Sequence, residues 1–215
     1  MERKVNYHKE ALKIVAELKG RRPRLLAHVC CGPCGTYPLK WLHQYFDLTV
    51  IYHNSNIYPQ SEYERRYRVL LEFITRFNAD CGARVEVVKT PYEPEQFNQH
   101  LEPYKNEPEG GARCRICYRI RMEESMAYAA RHGYEFFTTV MTISPHKDSQ
   151  IINSIGREIQ ARYPSVSYFH SDFKKEDGFL EAGKMCLKYC LYRQAYCGCR
   201  YSYAAMMAGD DRPDV

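Results

Sequence analysis

Seven of the ten cysteines in this 215-residue chain fall into three short groups whose spacing suits metal ligation. Close thiol pairs in a chain that keeps its cysteines reduced are more often metal ligands, or a catalytic thiol pair, than disulfides. Glycine and proline beside the thiols permit the close backbone approach that such sites need. The groups are Cys30, Cys31 and Cys34, then Cys114 and Cys117, then Cys197 and Cys199.

The number of thiols limits the kind of metal site. One tetrahedral zinc takes four ligands, and a four-iron cluster also takes four thiolates. Seven thiols exceed either. The groups therefore predict an iron–sulfur cluster with a second metal, a cluster with spare catalytic thiols, or one zinc with three bystanders. We expect the other three cysteines, Cys81, Cys186 and Cys190, to be buried packing residues without a ligand role.

Two other classes of protein fit part of this pattern. Cys31-Gly32-Pro33-Cys34 between a strand and a helix is typical of thioredoxin-like thiol oxidoreductases, although that function leaves five grouped cysteines unexplained. A zinc-stabilised RNA-binding module without redox chemistry is the other class.

Hydrophobic periodicity places the first two cysteine groups where an element ends or begins. Strands alternate with amphipathic helices, which predicts a parallel α/β sheet of the Rossmann-like type, followed by a cysteine-rich, largely helical C-terminal part. The first group follows the first strand, where open α/β sheets bind ligands, and Cys114 begins a helix whose N-terminus favours thiolates. Ser61 and Glu64 form a predicted capping box. The predicted strands are 24–29, 48–52, 84–88, 135–140 and 166–169, and the predicted helices are 7–19, 37–45, 61–77, 95–101, 114–131, one ending near 163, 180–192 and one after 201.

Composition and charge restrict the location and the partners of the chain. No run of about 18 apolar residues occurs, which excludes a transmembrane helix, and the N-terminus lacks the apolar run of a signal peptide. These features predict a cytoplasmic protein without a membrane partner, built as a single domain over residues 1–215 with a disordered, acidic tail at 209–215. The net charge of +5 mildly favours a nucleic-acid partner over an ordinary solvated surface. Some of the 19 tyrosines could stack on unpaired RNA bases, although most are expected to pack in the core or at its rim.

The motifs around the cysteines occur in an order that resembles one known family. They are residues 26–34, 56–59, 62–66, 109–118 with 121, 137–139, 144–147, 173–175, 191–194, 196–199 and 201–202. In this combination the chain is similar to the QueH-type epoxyqueuosine reductases over about residues 24–205, and the combined motifs are highly specific.

This resemblance implies reductive removal of the epoxide oxygen from epoxyqueuosine at the wobble position of tRNA, the last step in forming queuosine. It implies a fold related to the Rossmann-like nucleotide hydrolases (HUP-like), in which a metal-binding turn replaces the phosphate-binding glycine loop. It also implies that cysteines of all three groups hold a 4Fe-4S cluster beside a mononuclear iron. Since no flavin or nicotinamide signature occurs, we expect a reduced protein as electron donor, and a tRNA anticodon loop rather than DNA as substrate.

Other side chains complete the predicted site. His28, Tyr118 and Lys147 are candidate proton donors, although a histidine in a strand is as often a satisfied core residue. The remaining candidates would contact the RNA at a phosphate, which makes affinity fall steeply with salt, or at the unpaired base. The phosphate candidates are Arg113, Ser144, Lys147, Lys174 and Lys175, and the candidates around the base are Tyr52, Asn56, Tyr58 and Tyr196.

Overall fold

The computed structural model describes residues 4–209, in which five strands alternate with eight α-helices. Two short 3₁₀ turns, Glu102–Tyr104 and Val140–Ile143, complete the regular structure of these residues. The strands are β1 (Arg24–His28), β2 (Asp47–Tyr52), β3 (Glu86–Lys89), β4 (Phe136–Thr139) and β5 (Ser167–Tyr168). The helices are α1 (Tyr7–Glu17), α2 (Gly32–Leu42), α3 (Gln60–Cys81), α4 (Pro94–Gln99), α5 (Ala112–Arg131), α6 (Ser149–Gln160), α7 (Gly178–Lys188) and α8 (Arg200–Met207).

The strands form one parallel sheet in the order β3-β2-β1-β4-β5. The α/β fold predicted from the alternating pattern is therefore confirmed. In this Rossmann-like order the connection reverses direction beside β1, and ligands bind at the carboxyl ends of the strands at that point. Because the crossover helices run antiparallel to the strands, the N-termini of α2, α3, α5 and α6 lie at the same edge.

The centre of the sheet is buried on both faces. Side chains of a strand alternate between the faces, so Leu25 and Ala27 of β1 pack with residues of α2, α3 and α7, whereas Leu26 packs with residues of α5 and α6. In β2, Val50 and Ile51 divide between the faces in the same way. This burial holds the carboxyl end of β1, where the first cysteine group begins, rigidly between two helical layers.

Three differences from the predicted element boundaries affect the surroundings of the cysteines. α2 begins at Gly32 rather than near residue 37, because the Cys31 sulfur caps it and Pro33 suits a first helical turn. The predicted capping box is wrong: α3 begins at Gln60 without a side-chain cap, and Glu64 instead pairs with Lys89 at 3.1 Å. α7 ends at Lys188, which leaves residues 189–194 as an irregular segment.

The chain ends limit two other predictions. Residues 210–215 of the predicted disordered tail lie outside the described residues, and Gly209 belongs to a turn in which its amide binds the Met206 carbonyl at 3.1 Å. Within residues 4–209, no helix combines the length and the apolar character required to cross a membrane.

The packing of α6 on β5 gives a stability prediction. A Cβ atom on Gly156 would lie 2.2 Å from ring carbons of the buried Tyr168, whereas a Cβ on Gly183 of α7 would meet open space. We expect Gly156→Ala to lower the free energy of unfolding by about 1–3 kcal/mol through overpacking. Gly183→Ala, the matched control, is expected to raise it by about 0.5–1 kcal/mol because alanine favours a helix interior. Thermal unfolding measures both, and equal melting temperatures for the two variants would contradict this packing.

Candidate metal centre

The first cysteine group forms a compact turn at the carboxyl end of β1, here called the three-sulfur turn (Cys30, Cys31 and Cys34). The Sγ atoms of Cys30 and Cys31 are 3.7 Å apart, and those of Cys31 and Cys34 are 2.7 Å apart. All three sulfurs lie within 4.8 Å of one another. A tetrahedral ion with sulfur ligands at about 2.3 Å holds those sulfurs about 3.8 Å apart. The Cys30–Cys31 spacing therefore matches a single-ion site, whereas the Cys31 and Cys34 sulfurs would have to separate by about 1 Å to bind one ion together.

The other four grouped cysteines face each other with wider spacing. Cys114 and Cys117 of α5 interact electrostatically with Cys197 and Cys199, which precede α8. Within residues 4–209, the three-sulfur turn is the one group of three metal-ligating side chains whose ligand atoms come within 4.8 Å. The structure thus brings the second and third groups together, but leaves between their four thiols more room than one ion needs.

Main-chain amides direct positive potential at the sulfurs. Cys31 and Cys199 are the N-cap residues of α2 and α8, and their Sγ atoms accept from the amides of Cys34 and Ser202, each at 3.4 Å. The sulfur of Cys114, in the first turn of α5, accepts from the Gly110 amide at 3.2 Å. Amide donors and the positive end of a helix stabilise thiolates. Each of the three groups therefore has at least one sulfur placed for the anionic form that binds metal.

A buried ion pair positions the third group. The guanidinium of Arg66 is 2.7 Å from Glu62 and donates to the carbonyls of Tyr196 and Cys197 at 3.1 and 3.0 Å. Gly198 has φ +127°, and a Cβ atom there would lie 2.8 Å from the guanidinium. The glycine between the two cysteines is thus required both by its backbone conformation and by the close approach of Arg66.

Two further cations face the thiols. Arg121 of α5 is 3% exposed, donates to Asn54 at 2.7 Å, and interacts electrostatically with Cys117, Cys30 and Cys197. Burial of Lys147 disfavours its charge, but electrostatic interaction with Cys197, Tyr118 and Cys30 outweighs burial and holds the pKa of Lys147 above the ordinary range. Both cations face Cys30 and Cys197, which places the three-sulfur turn and the third group around one positively charged region.

The three thiols of the three-sulfur turn differ in pKa because each affects its neighbours. Hydrogen bonds from Cys31 and Cys34, with Arg121 nearby, hold the pKa of Cys30 well below its usual range. Burial and the neighbouring Cys30 raise the pKa of Cys31 to about 12, and the same neighbours raise that of Cys34. Without a cation the turn therefore carries roughly one negative charge, and a bound metal must displace the other protons.

This donor set fits a thiophilic metal. Seven sulfurs are soft ligands that select iron–sulfur clusters or zinc over magnesium or calcium. Arg66, Arg121 and Lys147 supply the positive surroundings that a thiolate-rich, net negative centre requires. The Nε atom of Arg121 and the Oε1 atom of Gln194 are buried without a hydrogen-bond partner, so unused polar groups also remain near the sulfurs.

A cavity of about 410 Å³ opens beside the three-sulfur turn, and we call it the thiol-side cavity. Its volume lies in the range of small-molecule sites. One side carries the chemistry, with Cys30, Cys34, Cys197 and Lys147. The opposite side is an apolar wall from α7, in which Phe179, Leu180 and Leu187 are 46%, 57% and 78% exposed. The cavity is therefore suited to a ligand with one ring packed on α7 and one polar, reactive group at the thiols.

His28 is placed as a core residue rather than as a proton donor. Its Nε2 lies 3.2 Å from the His53 carbonyl and its Nδ1 lies 3.0 Å from the Thr139 hydroxyl. Since a carbonyl only accepts, Nε2 carries the proton and Nδ1 accepts from the hydroxyl. Burial, reinforced by Arg121, lowers the pKa of His28 to about 3. The ring is neutral, fully buried and satisfied, which favours the core alternative.

The other two proton-donor candidates lie closer to the cavity. Tyr118 packs in the core between α5 and α6, and burial raises the pKa of its phenol. Lys147 is half-buried and lines the thiol-side cavity. Lys147 is therefore the candidate whose ammonium can meet a ligand in this cavity.

The structure leaves one of the three candidate tyrosines free to stack. Tyr52 is fully buried with its hydroxyl donating to the Tyr63 carbonyl at 2.8 Å, and Tyr196 is buried with its hydroxyl donating to the Tyr58 carbonyl. Both rings are buried, so in this structure neither presents a free face to an unpaired base, and their part in substrate binding stays a prediction. Tyr58 is 41% exposed, and Asn56 is buried with an unpartnered Oδ1.

Two of the phosphate candidates have structural partners instead. Arg113 is buried and donates to the Lys105 carbonyl at 2.8 Å and to the Glu107 carbonyl, and Lys174 donates to the Thr142 carbonyl at 2.8 Å and pairs with Asp172 at 3.0 Å. A phosphate contact would extend into solvent, whereas both of these side chains stabilise loops. Ser144 lines the thiol-side cavity, and Lys175 is exposed.

Sequence reasoning missed some residues of the centre and misplaced others. Gln194 donates to the Cys31 sulfur at 3.4 Å, although the motif 191–194 that contains it had indicated no role at the metal centre. The apolar wall of α7 had no signal in local periodicity. Cys186 is buried in the cavity wall as expected, but Cys81 and Cys190 are exposed, because one ends α3 and the other lies in a turn with φ +51°.

The fold and the site together define a class: a Rossmann-like α/β protein with a cysteine-bearing turn at the end of its first strand. A family model described as "Epoxyqueuosine reductase QueH" matches residues 25–205, so the chain belongs to the epoxyqueuosine reductase QueH family, whose members are oxidoreductases.

Curated relatives with this same name match nearly the whole chain. The one from Streptococcus pyogenes serotype M1 is 42% identical over 214 residues, covering 99% of this chain and 83% of the relative. That from Staphylococcus epidermidis is 42% identical over 212 residues, with coverages of 97% and 88%. That from Thermotoga maritima is 30% identical over 181 residues, with coverages of 83% and 89%.

Proposed function

We propose that this chain reduces the epoxide of epoxyqueuosine in the tRNA wobble position to the alkene of queuosine. Membership of the QueH family supports this reaction. The observation that carries it in the structure is the thiol-side cavity, where the thiols of Cys30, Cys34 and Cys197 and the Lys147 ammonium face an apolar wall. A nucleoside whose ring system packs on Phe179 and Leu180 would present its epoxide to the sulfurs and the ammonium.

The spacing of the thiols supports a division between two metal groups. The three-sulfur turn would hold a mononuclear iron, because its three sulfurs lie within 4.8 Å of one another and could reach one ion. Cys114, Cys117, Cys197 and Cys199 would hold a 4Fe-4S cluster, because four thiols with wider spacing match its four ligands. When bound, these groups supply electrons one at a time and a Lewis acid.

The protein's own residues would bind, orient and protonate the substrate. Removal of the epoxide oxygen as water consumes two electrons, from a reduced donor protein, and two protons. Lys147 would donate a hydrogen bond, and then a proton, to the oxygen as its bond to carbon breaks. The α7 wall would keep water from the reacting ring, and Tyr58 would stack on an unpaired base of the anticodon loop, with Lys175 or Ser144 at a phosphate.

Anaerobic purification followed by turnover tests this proposal. We expect iron and sulfide to co-purify, and the protein with a chemical reductant to convert epoxyqueuosine-containing tRNA to queuosine-containing tRNA. A colourless zinc protein that binds the RNA without converting it would indicate a zinc-stabilised RNA-binding module. A metal-free protein that reduces insulin disulfides would indicate a thiol oxidoreductase at Cys31 and Cys34.

The ten free thiols suit a reducing compartment, so we place the reaction in the cytoplasm.

A further inference from the structure

A second cavity, of about 460 Å³, runs along α3 outside the metal centre. We call it the arginine groove, because Arg65, Arg68 and Arg76 of α3 line it opposite residues 189–192. Its one acidic lining residue is Glu72. The groove therefore carries a net positive charge, and none of the seven grouped cysteines lines it, so it has no part in the proposed reduction.

We propose that the arginine groove binds the sugar–phosphate backbone of the RNA whose modified nucleoside enters the thiol-side cavity. This inference rests on the proposed function for the identity of the RNA, and it adds a binding site made of residues that no part of the reduction uses.

The charges of the groove are available to a ligand. Arg65 and Arg68 are exposed, and within residues 4–209 neither of them forms an ion pair. Guanidinium groups present parallel donors that match the oxygens of a phosphate. Arg76 has a structural bond as well, since its Nη1 donates to the Tyr189 carbonyl at 2.6 Å. Two free guanidinium groups and one anchored guanidinium thus face a single surface.

One of these arginines is held in place before any ligand binds. The guanidinium of Arg65 lies 3.4 Å from the centre of the Tyr192 ring, and the Tyr192 hydroxyl is 3.2 Å from both oxygens of Glu62. Glu62 is itself fixed by Arg66. A side chain that is already ordered loses less conformational entropy on binding, so the stacked Arg65 is suited to a specific phosphate contact.

The groove and the thiol-side cavity share a wall. Tyr192 lines the groove and its neighbour Arg193 lines the cavity, and consecutive Cα atoms are about 3.8 Å apart. Val69 lines the groove and also packs against α2, the helix that the three-sulfur turn begins. A Cβ atom on Gly32 of α2 would lie 3.1 Å from the Val69 side chain. The two cavities are therefore separated by about one residue of protein. An RNA strand that places one nucleoside at the thiols would pass the groove next.

The length of the groove favours a strand over a single anion. Its lining extends along α3 from Ser61 to Arg76, which is about 22 Å at 1.5 Å per residue. An acidic electron-donor protein would be the alternative polyanionic ligand of this groove. The concave shape, the stacked guanidinium and the shared wall with the nucleoside cavity fit a narrow backbone better than a protein face.

The test is RNA binding by charge variants of the groove. The probe is a fluorescein-labelled tRNA anticodon stem-loop with an unmodified wobble guanosine, titrated at several salt concentrations with the metal-loaded protein. We expect Arg65→Gln with Arg68→Gln to weaken binding about 10- to 100-fold and to reduce the slope of log affinity against log salt by about 1.5 to 2. Glu72→Gln is expected to tighten binding, because it removes the one anion of the groove.

Arg131→Gln is the matched control. Arg131 is exposed in the last turn of α5, at the edge of the sheet opposite the metal centre, and its substitution removes one positive charge, as each of the two groove substitutions does. It is expected to leave affinity and slope unchanged. Iron content and melting temperature of each variant show whether it is folded. The tighter binding expected for Glu72→Gln is a second control, because a loss of folding would weaken binding rather than tighten it.

The outcomes separate this inference from the proposed function. Wild-type affinity and slope in the double variant would overturn the groove assignment, even with normal epoxide turnover. Unchanged RNA binding with slower reduction by the donor protein would assign the groove to that protein and overturn the inference as well. If the chain binds RNA through the groove but never reduces the epoxide, the proposed function fails and the groove assignment stands.

Discussion

Cys31→Ser is expected to abolish metal binding at the three-sulfur turn and to lower epoxide turnover at least about a thousandfold, which is about 4 kcal/mol of activation free energy. Serine retains an oxygen that can cap α2 in place of the Cys31 sulfur, so the helix start is preserved. What is lost is the soft thiolate that selects iron. Iron and sulfide counts, absorption of the anaerobic protein and single-turnover assays measure the effect.

Cys81→Ser is the control for this prediction. Cys81 is free and exposed at the end of α3, away from the centre, so its substitution is expected to leave iron content and turnover unchanged. Cys199→Ser repeats the experiment at the other capping sulfur and is expected to lose the cluster while keeping the cap of α8. A Cys31→Ser protein with full iron and full activity would show that the three-sulfur turn is not a metal site.

Lys147→Met is expected to lower turnover about 10²- to 10⁴-fold, the usual contribution of a positioned proton donor. Because Lys147 faces Cys197, Cys30 and Cys34, loss of its charge is also expected to make the bound centre harder to reduce. Turnover with epoxyqueuosine-containing tRNA measures the first effect, and a potentiometric titration measures the second.

Two companion variants separate the roles of Lys147. Lys147→Arg keeps the charge, so it is expected to restore the potential but not the full rate of a proton donor. Lys188→Met removes an exposed ammonium that pairs with Asp80 at 2.8 Å outside the cavity, and it is expected to change neither quantity. If Lys147→Met retained both the rate and the potential of the wild type, Lys147 would have no part in the reaction.

The fold was largely predictable because its signals are local. Alternating strands and helices predicted the parallel sheet, and the apolar run ending in Cys30 marked the central strand. The boundaries of α2 and α3 were less predictable. Cys31, which is not one of the usual capping residues, caps α2 through its sulfur, and α3 starts without any side-chain cap although Ser61 and Glu64 had predicted one.

The proposed RNA-binding residues were the least predictable part of the site, because residue type does not report burial. Tyr52 and Arg113 have the side chains of RNA contacts but serve the core and a loop. Arg65 and Arg68 carry the groove, yet their function depends on the segment that follows α7, more than 100 residues further along the chain.

The seven grouped thiols, the family resemblance and the order of strand, turn and helix around Cys30 were all evident from the amino-acid sequence alone. Those features depend on spacing between near neighbours. Only the tertiary structure decided which charges surround the thiols, which histidine is neutral and which cavity adjoins the sulfurs. The reason is distance along the chain: His28 meets Thr139 across 111 residues, and Arg66 meets Cys197 across 131, so packing rather than spacing brings each pair together.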